Sequence, residues 1–443
     1  MPQGSAIGIA CGSMAGKFFC LACAVLTAIH AAWGATNEMD PSAGVPYRGP
    51  SAAGVEASTL TGKVMCGYQG WYGAAGDGSA PGRAWRHWTW RTEAPTDGTI
   101  TVDLWPDVSE LGPGERFATE LNFADGRRAE VFSSYKWPTV LRHFKWMRQY
   151  GIDGVFVQRF ISALRQPDSL QHCNTVLANC RAGANQCGRV YAVMYDLSGL
   201  GAGRINEVME DWRVLQRDWQ ITRDPAYLHH RGKPVVSVWG IGFNDHRQYT
   251  LAEGRQLVDF LRADGCTVML GVPAHWRQLN ADAVSDPALL DIIKAADIIS
   301  PWTVGRYTDA ASATKYAQDF LTGDLAWCRE RHIDLLPVVL PGFSWHNLKG
   351  GRLNQIPRQR GEFLWSQIYG AKRAGATMLY VAMFDEMDEG TAIFKCSNQV
   401  PVGQTSKFVT YDGLPSDFYL KLVGDGAKML RGAIPITDRL PAN

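Results

Sequence analysis

Eight short apolar runs, separated by segments with helical periodicity, constrain the fold of this chain more than any other feature. Each run is almost continuously apolar, whereas a half-buried strand would alternate apolar and polar residues. Continuous runs are typical of parallel strands that are covered on both faces. The runs are 64–72, 154–160, 190–198, 234–242, 266–274, 297–304, 335–343 and 377–385.

The segments between these runs carry the apolar spacing of amphipathic helices, most clearly at 139–150, 204–220, 249–263, 311–331 and 358–374. Strands and helices that alternate eight times predict an α/β fold of the (β/α)8 TIM-barrel class. We expect residues 61–443 to form one barrel domain. The long segment 73–135 is then an insertion after strand 1 that lies over the barrel mouth, with a short strand at 130–135.

The first 35 residues have the pattern of a secretory signal peptide. Lys17 precedes the apolar run 18–26, and small residues follow at 31–35. Residues 36–60 are rich in Ser, Ala, Gly and Pro and predict a flexible lead-in. We therefore expect an exported protein, periplasmic or extracellular, without a stable membrane span. An uncleaved anchor is the alternative.

Composition points to a carbohydrate partner and away from nucleic acid. The 44 basic residues balance the 43 acidic ones, so no overall field attracts a polyanion. The 16 tryptophans offer flat apolar faces that suit a sugar ring, although a large core also uses tryptophan. Among the ten cysteines, one disulfide within the trio Cys173, Cys180 and Cys187 fits an oxidising compartment.

Aromatic, amide and charged side chains gather where the runs end, which is where barrel enzymes build their active sites. The candidate carbohydrate-binding residues at these ends are Tyr68, Trp71, Gln158, Arg159, Tyr195, Asp196, Trp239, Trp302, Arg306, Trp345 and His346. The insertion adds His87 and Trp88, for which a hydrophobic plug on the barrel is the alternative. A metalloenzyme barrel would gather histidines here, so we expect no metal and no cofactor.

The eighth run ends in four acidic residues within five positions, namely Asp385, Glu386, Asp388 and Glu389. Mutual repulsion and burial should raise the pKa of at least one of them, which leaves a proton donor beside an ionised base. Glycosidic bond hydrolysis requires such a pair. If the chain turns here, Glu386 and Glu389 lie about 5–6 Å apart, near the separation of about 5–5.5 Å in retaining enzymes. A solvated acidic loop and a divalent-cation site are the alternatives.

Seven ordered segments between residues 60 and 396 resemble bacterial proteins of the glycoside hydrolase family 71/99 group. These segments are VMCGYQGWY, GDGSAPGRAWRHW, VDLWPDVSE, HFKWMRQYGIDGVFVQRF, IISPWTVGRY, LPGFSWHNL and FDEMDEGTAIF. The resemblance implies a (β/α)8 barrel and an enzyme that hydrolyses an α-linked polysaccharide or glycan, α-mannan or a related chain, with retention of anomeric configuration.

Family 99 carries Glu-Trp-His/Asn-Glu-Gly-Thr on its last strand, and residues 386–391 keep both glutamates and the Gly-Thr pair. The resemblance implies that Glu386 is a general base acting on the sugar 2-hydroxyl, which gives an anhydro-sugar intermediate. It implies that Glu389 is the acid that protonates the leaving oxygen and later activates water. A double displacement with one glutamate as nucleophile stays open.

Met387 and Asp388 depart from the family 99 motif, so a preference for mannose does not carry over. An α-1,3-glucan hydrolase, as in family 71, is one alternative, and a non-catalytic sugar-binding barrel is another. Asp385 and Asp388 complete the candidate carbohydrate-binding residues. We expect a monomer.

Overall fold

The computed structural model of this chain describes residues 43–441. The predicted signal peptide, 1–35, lies outside these residues. A parallel barrel forms the centre of the fold, and its strands coincide with the eight predicted runs. The barrel strands are β1 (Val64–Tyr68), β4 (Gly154–Phe160), β5 (Val190–Asp196), β7 (Lys233–Trp239), β8 (Thr267–Pro273), β9 (Ile298–Trp302), the pair β10 (Asp334–Leu335) and β11 (Val338–Val339), and β12 (Leu379–Val381). The two-residue strand β6 (His229–His230) pairs antiparallel with β7.

The seventh strand of the barrel is split into two halves, β10 and β11, on either side of Pro337. Each half pairs with a different neighbouring strand, and together they close the barrel. β10 pairs in parallel with β9, and β11 pairs in parallel with β12, which in turn pairs with β1. The carbonyl of Pro337 accepts a hydrogen bond of 2.9 Å from the Tyr380 N–H, so the ladder continues across the break. Every barrel pairing is parallel. The predicted (β/α)8 barrel is therefore confirmed.

Helices cover the outside of the barrel, and the five predicted helical segments are all present. The helices are α1 (Trp137–Tyr150), α2 (Ile161–Leu164), α3 (Pro167–Cys187), α4 (Asn206–Arg217), α5 (Leu251–Ala263), α6 (Ala288–Ala295), α7 (Ala310–Tyr316), α8 (Thr322–Glu330), α9 (His346–Lys349), α10 (Glu362–Ala374) and α11 (Phe418–Leu430). A π-helical turn, Ala317–Leu321, joins α7 to α8. None of the helices within residues 43–441 is long and apolar enough to cross a bilayer.

Helix α3 is the longest helix of residues 43–441, and the sequence did not predict it. It begins with Pro167 in its first turn and ends at Gly188, whose φ of +62° is the left-handed conformation that glycine adopts without strain. The helix separates Cys173, Cys180 and Cys187 by seven residues each, or about 10.5 Å along its axis. A disulfide needs Cα atoms about 4.4–6.8 Å apart. All three thiols are free, so the disulfide predicted within this trio is wrong.

The insertion after β1 forms an antiparallel hairpin, β2 (Phe117–Asn122) and β3 (Arg128–Val131), within irregular chain. The predicted strand at 130–135 overlaps only the end of β3. Backbone N–H groups of Asp103 and Leu104 donate to the Met387 carbonyl at 3.0 and 3.3 Å, which ties the insertion to the segment after β12. The insertion therefore lies at the carboxyl end of the barrel.

Residues 43–60, the described part of the predicted lead-in, contain no helix or strand and follow the barrel wall. The Ala52 N–H donates to the Asn185 carbonyl at 2.8 Å, and the His229 N–H donates to the Ala57 carbonyl at 2.7 Å. Leu60 is fully buried. This segment is therefore hydrogen-bonded to the barrel at several points.

Candidate active site

A cavity of about 450 Å³ opens at the carboxyl ends of the barrel strands. Trp71, Trp239, Trp302 and Trp345 line it and are each half-buried, so part of each indole is available to a ligand. Other predicted residues on its walls are Gln158, Asp196, Arg306, Glu386 and Glu389. The mixture of aromatic faces and a few polar groups suits a carbohydrate chain.

The acidic segment after β12 folds into a turn that brings Glu386 and Glu389 to the same cavity. The Gly390 N–H donates to the Met387 carbonyl at 3.1 Å, and the Ala392 N–H donates to the Glu386 carbonyl at 2.9 Å. Gly390 has a φ of +64°, and a Cβ atom there would lie 3.0 Å from the Ser344 backbone nitrogen. Glycine is required at this position because the turn packs directly against the neighbouring loop.

Glu386 is 4% exposed and is held by two hydrogen-bond donors. The side-chain amide of Gln69 donates to Oε1, and the Thr391 hydroxyl donates to Oε2 at 2.7 Å. Both bonds stabilise the carboxylate form. Glu386 is therefore fixed in orientation and provided with partners that favour loss of its proton.

Burial and mutual repulsion shift the proton affinity of the two glutamates upwards. Burial first, and then the charge of Glu389, raises the pKa of Glu386 well above its usual value. Burial first, and then the charge of Asp388, raises the pKa of Glu389 to about 8. Because each charge disfavours the other, the pair retains a proton at neutral pH. A carboxylic acid beside a carboxylate is the arrangement that glycoside hydrolysis needs.

Asp385 and Asp388 are buried and do not line the cavity. They accept hydrogen bonds from residues next to it. Asp385 accepts hydrogen bonds from the backbone N–H groups of Gln69 at 2.8 Å and Gly70 at 2.9 Å. Asp388 accepts one from the Tyr72 hydroxyl at 3.1 Å. Burial raises the pKa of each aspartate to about 7. The predicted sugar contact is therefore corrected to a positioning role for both residues.

Asp103, in the insertion, holds the loop that carries Trp345. Its buried carboxylate accepts hydrogen bonds from the Ser344 hydroxyl at 2.5 Å and from the backbone N–H groups of His346 and Asn347, each at 2.7 Å. The pKa of Asp103 is raised by burial, and these donors oppose that shift. Asp103 thus fixes one wall of the cavity without lining it.

No protein-family profile and no curated protein sequence matches the chain. Solved structures do match it. A GH99 endo-α-mannosidase from Bacteroides thetaiotaomicron superposes with a TM-score of 0.60 and 14% identity, over 85% of this chain and 99% of that one. The chain has the fold of that GH99 structure. A structure described as a glycoside hydrolase-like protein matches with a TM-score of 0.50 and 13% identity, over 88% of this chain and 99% of that one.

Within this barrel, Arg159 and Tyr195 do not reach the cavity, and their predicted sugar contacts are corrected. Arg159 is 1% exposed, and its guanidinium forms a two-point ion pair with Asp211 on α4. The Tyr195 hydroxyl donates to the same carboxylate at 2.6 Å. Successive side chains of a strand point to opposite faces, so Gln158 and Asp196 face the cavity while their neighbours face the helices.

The predicted sugar contacts of three further residues are corrected in the same way, namely those of Tyr68, Trp88 and His346. Tyr68 is fully buried, with its hydroxyl 2.9 Å from Nδ1 of His143. The Trp88 indole is fully buried and donates to the Phe132 carbonyl at 3.1 Å, as expected of the hydrophobic plug. The His346 imidazole bonds to the Gly351 carbonyl at 2.9 Å, within its own loop. All three have structural partners and leave the cavity to other residues.

The cavity also contains residues that the sequence did not single out, namely Gln69, Phe160, Asp245, Phe343 and Gln355. Gln69 directly follows β1, so the strand-end rule could have found it. The same rule could have found Phe160, which ends β4, and Phe343, which ends the predicted run 335–343. Asp245 and Gln355 lie in irregular chain, which apolar periodicity does not reveal. His87, a predicted contact, lines an adjoining cavity instead. Within residues 43–441, no cluster of three or more His, Cys, Asp or Glu side chains is arranged to hold a metal ion.

Proposed function

We propose that this protein is a glycoside hydrolase that cleaves an α-linked polysaccharide or glycan with retention of configuration. The observation that carries the proposal is the shared turn that delivers Glu386 and Glu389 to one tryptophan-lined cavity. Burial raises the pKa of both carboxyl groups, that of Glu386 well above its usual value and that of Glu389 to about 8, and the two donors to Glu386 favour its ionised form within the pair. This difference supports one base and one acid.

In the proposed reaction Glu389 protonates the glycosidic oxygen while Glu386 removes the proton of the sugar 2-hydroxyl. The 2-oxygen attacks the anomeric carbon as the bond to the leaving oxygen breaks, which gives an anhydro sugar and a free alcohol. Glu389, now ionised, removes a proton from water, which opens the anhydro ring, and Glu386 returns its proton to the 2-oxygen. The two inversions give net retention. These roles rest on the match of residues 386–391 to the family 99 motif.

Substitution of each glutamate tests the proposal. The Glu386→Gln and Glu389→Gln variants should each lose at least a hundredfold in kcat/KM on whichever α-mannan, α-glucan or host-type glycan the wild type cleaves. Glu330→Gln is the matched control, because Glu330 is an exposed glutamate on α8. Full activity in either cavity variant would refute the assignment. Hydrolysis of no substrate in the panel, with binding retained, would favour a sugar-binding barrel.

A 2-deoxy substrate distinguishes the two chemical routes. Without a 2-hydroxyl, the anhydro route cannot begin, and turnover should stop even with an activated leaving group. If Glu386 attacked the anomeric carbon directly, the 2-deoxy substrate would still react and a glycosyl-enzyme would form. Mass spectrometry of the quenched enzyme detects that adduct, and proton NMR of the first product reports its configuration.

We also propose that the protein is exported and acts as a monomer outside the cytoplasm. The support is the pattern of residues 1–35, with a positive flank, a short apolar core and small residues. Cell fractionation followed by sequencing of the mature amino terminus tests this. Recovery in the cytoplasm with residues 1–35 intact would overturn it, and size-exclusion chromatography reports the oligomeric state.

A further inference from the structure

A second cavity, of about 340 Å³, adjoins the one that holds the two glutamates. The two cavities share Gln69, Trp71, Gln158 and Phe160 on their walls. A chain of sugar rings bound at one cavity therefore has the other directly beside it. The proposed hydrolysis assigns no role to the second cavity, so the residues that line it need a separate explanation.

Two arginines line this second cavity without a carboxylate partner. Arg83 is only 7% exposed, and its guanidinium makes two long contacts, to the Trp71 carbonyl at 3.3 Å and to the Ser169 hydroxyl at 3.4 Å. Nε of Arg83 and Nε of Arg86 are buried without a partner. Within residues 43–441 neither arginine lies at ion-pair distance from an acidic side chain, although the charges of Asp77 and Asp168 act on Arg83 from farther away. A buried charge without a counter-charge is costly unless a ligand supplies one.

Arg83 and Arg86 are the charged side chains among the described residues that line the cavity, and no acidic side chain of residues 43–441 lines it. The two histidines on its walls respond to that charge. Burial first, and then the charge of Arg83, lowers the pKa of His172 to about 3. Burial, followed by the charges of Arg86 and Arg83, lowers the pKa of His87 well below its usual value. His172 is therefore neutral, whereas His87 has the Asp388 carboxylate 3.0 Å from its Nδ1, and the two arginines supply the positive charge on the cavity wall.

Several buried polar atoms around the cavity have no hydrogen-bond partner, and they include both donors and acceptors. A ligand that both donates and accepts hydrogen bonds would pair with them. Unpartnered acceptors are Oε1 of Gln69 and Oε1 of Gln158. Nδ1 of His172 is a third, since its Nε2 lies 2.9 Å from the Gly70 carbonyl and must carry the proton. Sugar hydroxyls would donate to these atoms, whereas an inorganic anion could serve only the arginines. Trp71 and Phe160 add apolar faces for a ring.

The loop with Arg86 is fixed relative to the catalytic turn. Trp85 and His87, on either side of Arg86, have φ values of +59° and +62°, a strained conformation that surrounding contacts must maintain. The His87 ring stacks on Trp71 with centroids 4.0 Å apart, and its Nδ1 lies 3.0 Å from Oδ2 of Asp388. Because Asp388 directly precedes Glu389, the position of the positive cavity is set with respect to the proton donor.

We propose that the second cavity binds an acidic sugar residue, whose carboxylate, sulfate or phosphate group pairs with Arg83 and Arg86. This inference rests on the proposed function. It implies that the substrate is an acidic α-linked glycan whose charged sugar is bound next to the bond that is cleaved. A guanidinium pair suits such oxyanions because its N–H groups can bind two oxygens at once.

Ligand binding to the full-length Glu386→Gln variant tests the inference without any turnover. Titrations at constant ionic strength would compare glucuronate, glucose 6-sulfate, glucose and inorganic sulfate by calorimetry. We expect at least one acidic sugar to bind tenfold or more tightly than glucose and than inorganic sulfate. Equal binding of glucose would overturn the proposal. Binding of inorganic sulfate as tight as that of the sugars would reduce the cavity to a simple anion site and would overturn it too.

Substitutions at the two arginines locate the binding. Arg83→Met and Arg86→Met should each weaken binding of the acidic sugar at least tenfold and leave binding of glucose unchanged. Arg86 is half-buried, so its variant keeps the test valid if Arg83→Met does not fold. Arg91→Met is the matched control, since Arg91 is exposed in the same loop. An equal loss in Arg91→Met, or no loss in Arg86→Met, would contradict the proposal. If acidic sugars bind as expected but no glycan is hydrolysed by the wild type, only the proposed function fails.

Discussion

The side chain of Gln69 donates a hydrogen bond to Glu386, while the backbone N–H of Gln69 donates to Asp385 at 2.8 Å. One residue at the end of the first strand therefore holds two neighbouring acids at the end of the eighth. The barrel makes this possible because β1 and β12 are adjacent and parallel. The position of the proposed base is thus set by the closure of the barrel as much as by its own turn.

Removal of the Gln69 amide should move the acidic limb of the pH–rate profile to higher pH. The bond stabilises the ionised form of Glu386, so Gln69→Ala raises the pKa of that group, and the base is protonated over a wider range. A hydrogen bond to a charged group is worth about 1.5–3 kcal/mol, which corresponds to about one to two pH units. Measurement of kcat/KM between pH 4 and pH 9 checks this. Thr391→Val should act in the same direction, and an unmoved acidic limb in both variants would contradict the role given to Glu386.

Loss of the proton from Glu389 should set the alkaline limb of the same profile. The pKa of Glu389 is raised to about 8, chiefly by burial, so the acid is present below that pH and is lost as the pH rises through it. The Glu389→Gln variant should lose this limb, and its residual rate should depend more steeply on the leaving group than that of the wild type. Aryl glycosides with leaving groups of graded pKa measure this. An alkaline limb that persists in Glu389→Gln would assign it to another residue.

The protonated carboxyl groups of the site should make the stability of the protein depend on pH. The pKa of Asp385 is about 7 in the folded protein, against an ordinary value of 3.8. Between these values the folded chain holds a proton that the unfolded chain releases, so this contribution is full at low pH and is lost as the pH rises through about 7. The Tm of the wild type should therefore fall more steeply between pH 4 and pH 8 than that of Asp385→Asn. Asp438→Asn, at an exposed aspartate, should keep the wild-type slope. Parallel slopes in all three proteins would show that Asp385 is ionised throughout.

Truncation of Asp103 should weaken substrate binding more than it slows the chemical step. Asp103→Ala leaves the Ser344 hydroxyl and the N–H groups of His346 and Asn347 without their acceptor, at a cost of about 1–3 kcal/mol for each group that stays buried. The loop with Trp345 would lose its anchor, so KM should rise while kcat changes less. Ser344→Ala removes one of these bonds and should show a smaller effect. A fall in kcat at unchanged KM would instead place the effect on the catalytic turn.

The fold was predictable from the sequence because continuous apolar runs are a direct consequence of burial on both faces of a parallel sheet. The site was predictable only in part. The strand-end rule selected Gln158 with Arg159, and Tyr195 with Asp196, although alternation allows only one residue of each pair to face the cavity. The apolar runs do not say which face is inward, since both faces are buried.

The remaining parts of the site depend on tertiary contacts that leave no periodic pattern. Asp103 lies in irregular chain, and its role follows from a loop more than 240 residues away in sequence. Helix α3 escaped prediction because its Gly, Asn and Ala residues have the composition of a loop, while its burial against the barrel stabilises it as a helix. The sequence made the pairing of Glu386 with Glu389 conditional on a turn after the eighth strand, since side chains three residues apart meet only where the chain turns. The structure has a turn at residues 387–390.

The split seventh strand has a consequence for the motions of the barrel. Each half pairs with its neighbour over only two residues, and Pro337 between them has no N–H to contribute. We expect local opening to cost least free energy at this seam, so the backbone amides of β10 and β11 should be the first of the barrel to exchange with deuterium. The chain that leaves β11 goes on to form the wall with Phe343 and Trp345. We therefore expect motion of this seam to change the width of the cleft beside the aromatic wall while the other strands of the barrel stay paired.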